Sequence, residues 1–257
     1  MRPFIRRVDG EYVLFYEAYA PFGLALTALP GRRRWKSAIA AARSGALRSW
    51  GNLGTMIAPR FPWMRDEETG DSVSNPCLVE GPRGMLLYFS ASLSWIADCG
   101  FCEPRYIGLA RLSSGKEGEP FHEAAFQVDR EPVIDPAQDA LPGVLGAGSL
   151  KVLAFEDGYV GLQNKIYTDG AGHSRSAIFI LKSQDGVSWL SAREAPLLAP
   201  APGWTSSHVY ACDCRYSEAD GNWYLYFNAR DGWRIRDGVE RIGRIVGRRI
   251  PGGKQEI

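Results

Sequence analysis

Four turns carrying glycine recur along the chain, and the same kind of run follows each. Gly10, Gly84, Gly158 and Gly221 stand before Glu11 to Tyr16, Met85 to Ser90, Tyr159 to Gln163 and Asn222 to Phe227, segments rich in aromatic and aliphatic residues. Such a pair reads as a tight turn and the second strand of a hairpin. Glycine reaches positive φ without a Cβ clash, and the aspartates Asp9, Asp157 and Asp220 beside it tolerate the same region.

A second series lies behind the first. Ser37 to Arg43, Arg105 to Arg111, Arg175 to Leu181 and Glu240 to Val246 are short apolar segments suited to a third strand. Three of the repeats then run through a polar turn to a proline-marked apolar close at Ile57 to Pro59, Pro132 to Pro136 and Pro196 to Pro200. Ser183 to Trp189 is the clearest such turn, and Ser44 to Trp50 is a degraded copy of it. Residues 35–50 have helical propensity, but their alignment with the other repeats makes them strand. Repetition of a four-strand unit predicts an all-β chain, a β-propeller of four-stranded antiparallel blades that bury their faces only against one another. Four repeats are counted, the last of them short, and a fifth could lie in the irregular stretches.

Composition narrows the function. With 257 residues, 45% of them hydrophobic, the chain can fill the core of one β-rich domain spanning residues 1–257. Thirty basic and 29 acidic residues leave a formal net charge of +1, which supplies no global field for nucleic acid or a membrane surface. The basic run Arg32 to Arg34 reads as a solvated loop. The first residues lack an apolar leader, and the longest low-charge stretch, Ala18 to Leu29, is too short to span a bilayer and is broken by Pro21 and Gly23. Five cysteines, an odd number, predict free thiols and a reducing, cytoplasmic setting.

On these motifs the chain resembles the five-bladed propeller glycoside hydrolases, family 43 and its fructan- and mannoside-acting relatives. Val209 to Tyr216, followed by Asp220 to Phe227, is similar to that family's blade opening, as is Ser74 to Leu78 followed by Gly84 to Ser90. Arg105 to Ala110 and Glu240 to Val246 resemble its third strands, and Ser183 to Trp189 resembles its Ser-x-Asp-Gly-x-x-Trp turn. The resemblance implies five blades around an axial pocket. There, carboxylates at the inner ends of first strands would activate water, protonate the leaving oxygen and tune the acid.

Asp213 falls on the aspartate of that opening, with Cys212 in place of the family's proline and Tyr210 in place of its tryptophan. Other openings depart from the pattern. The chain has Arg2-Pro3 and Asn75-Pro76 where acids are implied, and Gly146 to Lys151 carries no acid at all. Glu80 counts into a hairpin turn. The implied function is hydrolysis of a glycosidic bond in a carbohydrate or glycosylated small molecule, by Asp213 with Asp71 or a loop acid, Asp98 or Glu103. The alternative is a sugar-binding or biosynthetic propeller that has lost those acids. Asp213 also reads as a strand carboxylate held by Arg215.

His208, one of three histidines, and Trp204 precede the same strand and are candidates for contact with the sugar, as is Asn75. Ser92 to Arg105 reads as a long loop inserted between second and third strands, a position suited to binding, with Trp95 to stack on a ring beside Asp98, Glu103 and Arg105. No cofactor is expected unless the thiols assemble. Cys99 and Cys102 have metal-ligand spacing, while Cys212 and Cys214 share one strand face about 7 Å apart, so four thiolates could close around zinc. The same alternation would turn Asp213 to the opposite face.

Overall fold

The computed structural model describes residues 3–19, 35–81, 84–112, 121–234 and 236–248. Arg2, Pro82, the Arg32 to Arg34 run and most of the Ala18 to Leu29 stretch lie outside them. Sixteen strands are described: β1 Phe4–Val8, β2 Glu11–Tyr19, β3 Trp35–Ser44, β4 Gly51–Ile57, β5 Gly70–Asp71, β6 Val73–Gly81, β7 Gly84–Ile96 and β8 Phe101–Leu112, then β9 Phe126–Val128, β10 Val144–Phe155, β11 Gly158–Thr168, β12 Ser174–Ser183, β13 Leu190–Ser191, β14 His208–Ser217, β15 Asn222–Arg230 and β16 Glu240–Arg248.

Consecutive strands pair antiparallel within blade I (β1–β4), blade II (β6–β9), blade III (β10–β13) and blade IV (β14–β16). These are the four repeats of the sequence. The turn glycines open β2, β7, β11 and β15, and the second series forms β3, β8, β12 and β16. The proline-marked closes lie against third strands, pairing Ile57 with Ile39, Ile134 with Ile107 and Leu198 with Ile178. Blades III and IV join through one parallel pair, Ser176 with His208.

Packing between blades replaces a single central core. Phe15, Ile39, Met56, Leu78, Leu87, Tyr88, Phe89, Ile107 and Leu150 are essentially removed from water in a cluster shared by blades I, II and III. Tyr88 of blade II donates to the Gly186 carbonyl of blade III at 2.7 Å, a bond formed where its ring is fully buried. A second cluster, with Leu162, Ile178, Val209, Cys212, Leu225 and Phe227, seals blade III to blade IV. No cluster of the described residues covers the other face of blade IV, where Ile242 is 73% exposed and Tyr226 44%.

The antiparallel meander fixes where a site can form. Phe4 pairs with Phe15 and His208 with Arg230, so each first strand starts where the second one ends. The connections at 97–100 and 169–173, with residues 231–234 and 236–239 after β15, therefore gather at the end where the first strands begin.

Candidate functional site

A cavity of about 990 Å³ opens at that end, between the first strands and the exposed face of blade IV. Three of the four first strands meet it through the same irregularity. Register shifts fall between Ser74 and Cys77, Gly146 and Ser149, and Tyr210 and Cys212, and each bulge contains a residue at positive φ: Asn75 at 50°, Gly148 at 63° and Ala211 at 45°. A bulge inserts one unpaired residue and re-aims the chain, which is how Asn75, Ser149 and Ala211 all come to line the cavity. Asn75 is held there, buried, by a bond from its amide to Ser90 Oγ at 2.9 Å.

Beyond the bulge on β14, alternation separates the side chains. Cys212 and Cys214 pack toward blade III, while Asp213 and Arg215 face the cavity with Arg215 Nε 3.1 Å from Asp213 Oδ2. Phe4, at the start of β1, forms the floor beside them. Its ring lies 5.5 Å from the Arg215 guanidinium and 5.2 Å from the ammonium of Lys151 on β10. Lys151 also donates to the Pro76 carbonyl at 3.2 Å.

Nearer the mouth, Glu240 accepts a bond from Asn228 and another from Tyr210. Burial and that bond to Glu240 push the Tyr210 hydroxyl well above the usual phenol range. His208 bonds Ser207 Oγ through Nδ1 at 2.7 Å. Burial first, then the nearby positive charges of Arg230 and Arg175, hold its imidazole down at about 4, so it is neutral at pH 7. Trp233 lines the same wall, braced by Arg175 at 4.3 Å from its ring and by His173 edge-on at 4.4 Å. The Ser176 hydroxyl is buried at the wall with no hydrogen-bond partner among the described residues.

Of the residues expected from sequence, Asp213, His208, Asn75, Glu103, Cys99 and Cys212 line this cavity. The others do not. Asp71 sits in the short parallel pairing of β5 with β3, opposite Lys36. The Ser92 to Arg105 stretch is no loop but the extended arms of the β7–β8 hairpin, whose register places Trp95 opposite Cys102. Period-two alternation then puts Trp95 on the face opposite Glu103, away from the cavity. Asp98 ties the hairpin tip instead, accepting from the amides of Ser174 at 2.7 Å and Cys99 at 3.0 Å. Burial pushes its carboxyl up, but these bonds prevail and hold it below the usual range. Arg105 is exposed over the Tyr106 ring, and Trp204 stacks on Phe227 at 5.8 Å as part of the seal between blades III and IV.

The thiols are not brought together. Cys99 packs with Ile96 and Ile166, Cys212 and Cys214 with Val209 and Leu225, and Cys102 faces Trp95 across the hairpin. Among the described residues no group of three or more His, Cys, Asp or Glu side chains could hold a metal ion. Burial pushes the Cys212 thiol up to about 12. Sequence reasoning passed over Lys151, Tyr210, Trp233 and Glu240. Lys151 stands in a blade opening where the resemblance draws attention only to acids, and Trp233 in the connection after β15, equivalent to the hairpin tip at 97–100.

No family model matches the sequence, and no curated protein does. Solved structures do. BT0996 in its RGII complex superposes with a TM-score of 0.66 at 13% identity, over 95% of this chain and 69% of that one. A glycosyl hydrolase from Bacteroides ovatus matches with a TM-score of 0.61 at 16% identity, over 95% of this chain and 65% of its own. The Cellvibrio cellulosa α-L-arabinanase complexed with arabinohexaose matches with a TM-score of 0.60 at 13% identity, over 97% and 71%. The chain thus spans about two thirds of the length of these proteins, and it has the β-propeller fold of the glycoside hydrolases.

Proposed function

We propose that the protein binds a carbohydrate in the cavity beside blade IV. One observation carries this reading: a braced aromatic wall, Trp233, shares the cavity with fixed hydrogen-bonding groups on Asn75, Tyr210, Asp213, Asn228 and Glu240. A sugar ring has an apolar C–H face and a rim of hydroxyls, and this wall offers a partner to each. About 990 Å³ accommodates more than one sugar unit. Two proteins of the same fold are described as complexes, one with arabinohexaose and one with RGII, which agrees with such a ligand.

Hydrolysis is the second reading, favoured by three carboxylates, Asp213, Glu103 and Glu240, on the walls of one cavity. Binding without cleavage is the stronger of the two. Of the blade openings where the resemblance implies acids, that of blade II offers Asn75 to the cavity and that of blade III offers Ser149 and Lys151. On blade IV, Asp213 is engaged by Arg215 and Glu240 by Asn228.

A thermal-shift and calorimetry screen with neutral and acidic mono- and oligosaccharides tests the proposal. The expected result is stabilisation by one sugar class, lost in Trp233→Ala, with no new reducing ends after prolonged incubation. If no sugar binds, the proposal fails. If reducing ends appear and Asp213→Asn abolishes them, hydrolysis replaces it.

A further inference from the structure

The floor of the cavity holds a cation that pairs with no carboxylate among the described residues. Lys151 sits three residues beyond the Gly148 bulge on β10 and is half-buried. Its ammonium meets the Pro76 carbonyl at 3.2 Å and the Phe4 ring at 5.2 Å. None of the ion pairs among the described residues includes it. An ammonium has three donors, and one carbonyl uses one of them.

Arg215 makes the contrast, because both cations lie on the same Phe4 ring. Arg215 is neutralised by Asp213, and Lys151 is not. A partly desolvated charge without a counter-ion is unfavourable, so an anion bound beside Lys151 recovers that cost as well as forming a charge-assisted bond. Ser149 and Asn75 line the cavity on the neighbouring bulges, 4% and 3% exposed.

We infer that Lys151, with the Ser149 hydroxyl two residues before it on the same strand, forms an anion subsite that takes the carboxylate of an acidic sugar. This rests on the carbohydrate reading above and adds to it a ligand class, uronic acids and the oligosaccharides that carry them. The Phe4 ring at the floor would lie under the sugar, and Trp233 would flank it nearer the mouth.

Calorimetric titration of the full chain with D-galacturonate, D-glucuronate, D-galactose, D-glucose and inorganic phosphate tests the subsite, at low and high salt. An acidic sugar should bind about tenfold more tightly than its neutral counterpart. The advantage should shrink in high salt and disappear in Lys151→Met and Lys151→Gln. The second variant guards against a folding defect in the first. Equal binding of acidic and neutral sugars overturns this inference and leaves the carbohydrate reading standing. Phosphate binding that depends on Lys151, with no preference for uronates, overturns it in favour of an inorganic-anion site. Absence of binding by any of the sugars removes both.

Discussion

Arg215 Nε lies 3.1 Å from Asp213 Oδ2, and the two side chains, 54% and 47% exposed, face the cavity together from one strand. The pair therefore belongs to the site more than to the scaffold. A half-exposed ion pair contributes little to stability, up to about 1 kcal/mol. Asp213→Asn should accordingly unfold within a few degrees of the native protein. Sugar binding should fall about tenfold, because a charge-assisted acceptor is replaced by a neutral one. Thermal unfolding and calorimetry on the same variant separate the effects. A large loss of stability with unchanged affinity would make Asp213 a scaffold residue.

His208 gives the site a pH signature whose sign can be worked out. Its imidazole is held at about 4 in the folded chain against 6.5 as the ordinary value, by burial and by Arg230 and Arg175, with Asp98 opposing. Between these values the unfolded chain binds the proton more readily than the folded one. Stability therefore falls as pH drops from about 6.5 towards 4, by up to about 3 kcal/mol, and is fully present above that window. Denaturant unfolding across pH 4 to 8 should show this slope, and His208→Gln should flatten it. An equal slope in the variant would assign the effect to other groups.

Repetition made the blades legible, since each carries its own turn glycine and strand pattern. Alternation alone was enough to place Asp213 opposite Cys212 and Cys214. The cavity was less legible because contacts between distant segments define it. The Lys151 to Pro76 bond joins residues 75 apart, and the Tyr88 to Gly186 bond residues 98 apart. Trp95 and Trp204 stood in suitable segments but face the wrong way, one turned by the hairpin register and the other drawn into the seal with Phe227. Side-chain direction at a site depends on register and bulges, and neither bulge nor register is carried by a single residue type.

The degraded turn in blade I supplies a prediction outside the site. In blade III, Gly186 takes φ 75°, and Asp185 accepts bonds from the amides of Val187 and Ser188. The counterpart in blade I is Leu47, at φ 61° and 48% exposed. Leucine in this region is strained by its Cβ, and little packing is lost on removing an exposed side chain. Leu47→Gly should stabilise the protein by about 1 kcal/mol, less the added chain entropy of glycine when unfolded. A rise in melting temperature of a few degrees is the expected readout, and a fall would show that the Leu47 side chain is needed.

The two bulges at Gly148 and Ala211 should respond in opposite directions to exchanging glycine and alanine. Both residues lie at positive φ on a first strand, at 63° and 45°. A Cβ on Gly148 would overlap the Asn164 carbonyl oxygen, which is backbone and cannot move aside without breaking the β10–β11 register. Gly148→Ala should therefore destabilise by several kcal/mol, combining strain at positive φ with overpacking. Ala211 already bears its Cβ, so Ala211→Gly relieves strain at the cavity wall and should be neutral or mildly stabilising. Thermal unfolding of the two variants side by side checks the pair. If Gly148→Ala were tolerated, the bulge on β10 would have to be free to shift, and Ser149 and Lys151 would no longer be held at the cavity floor.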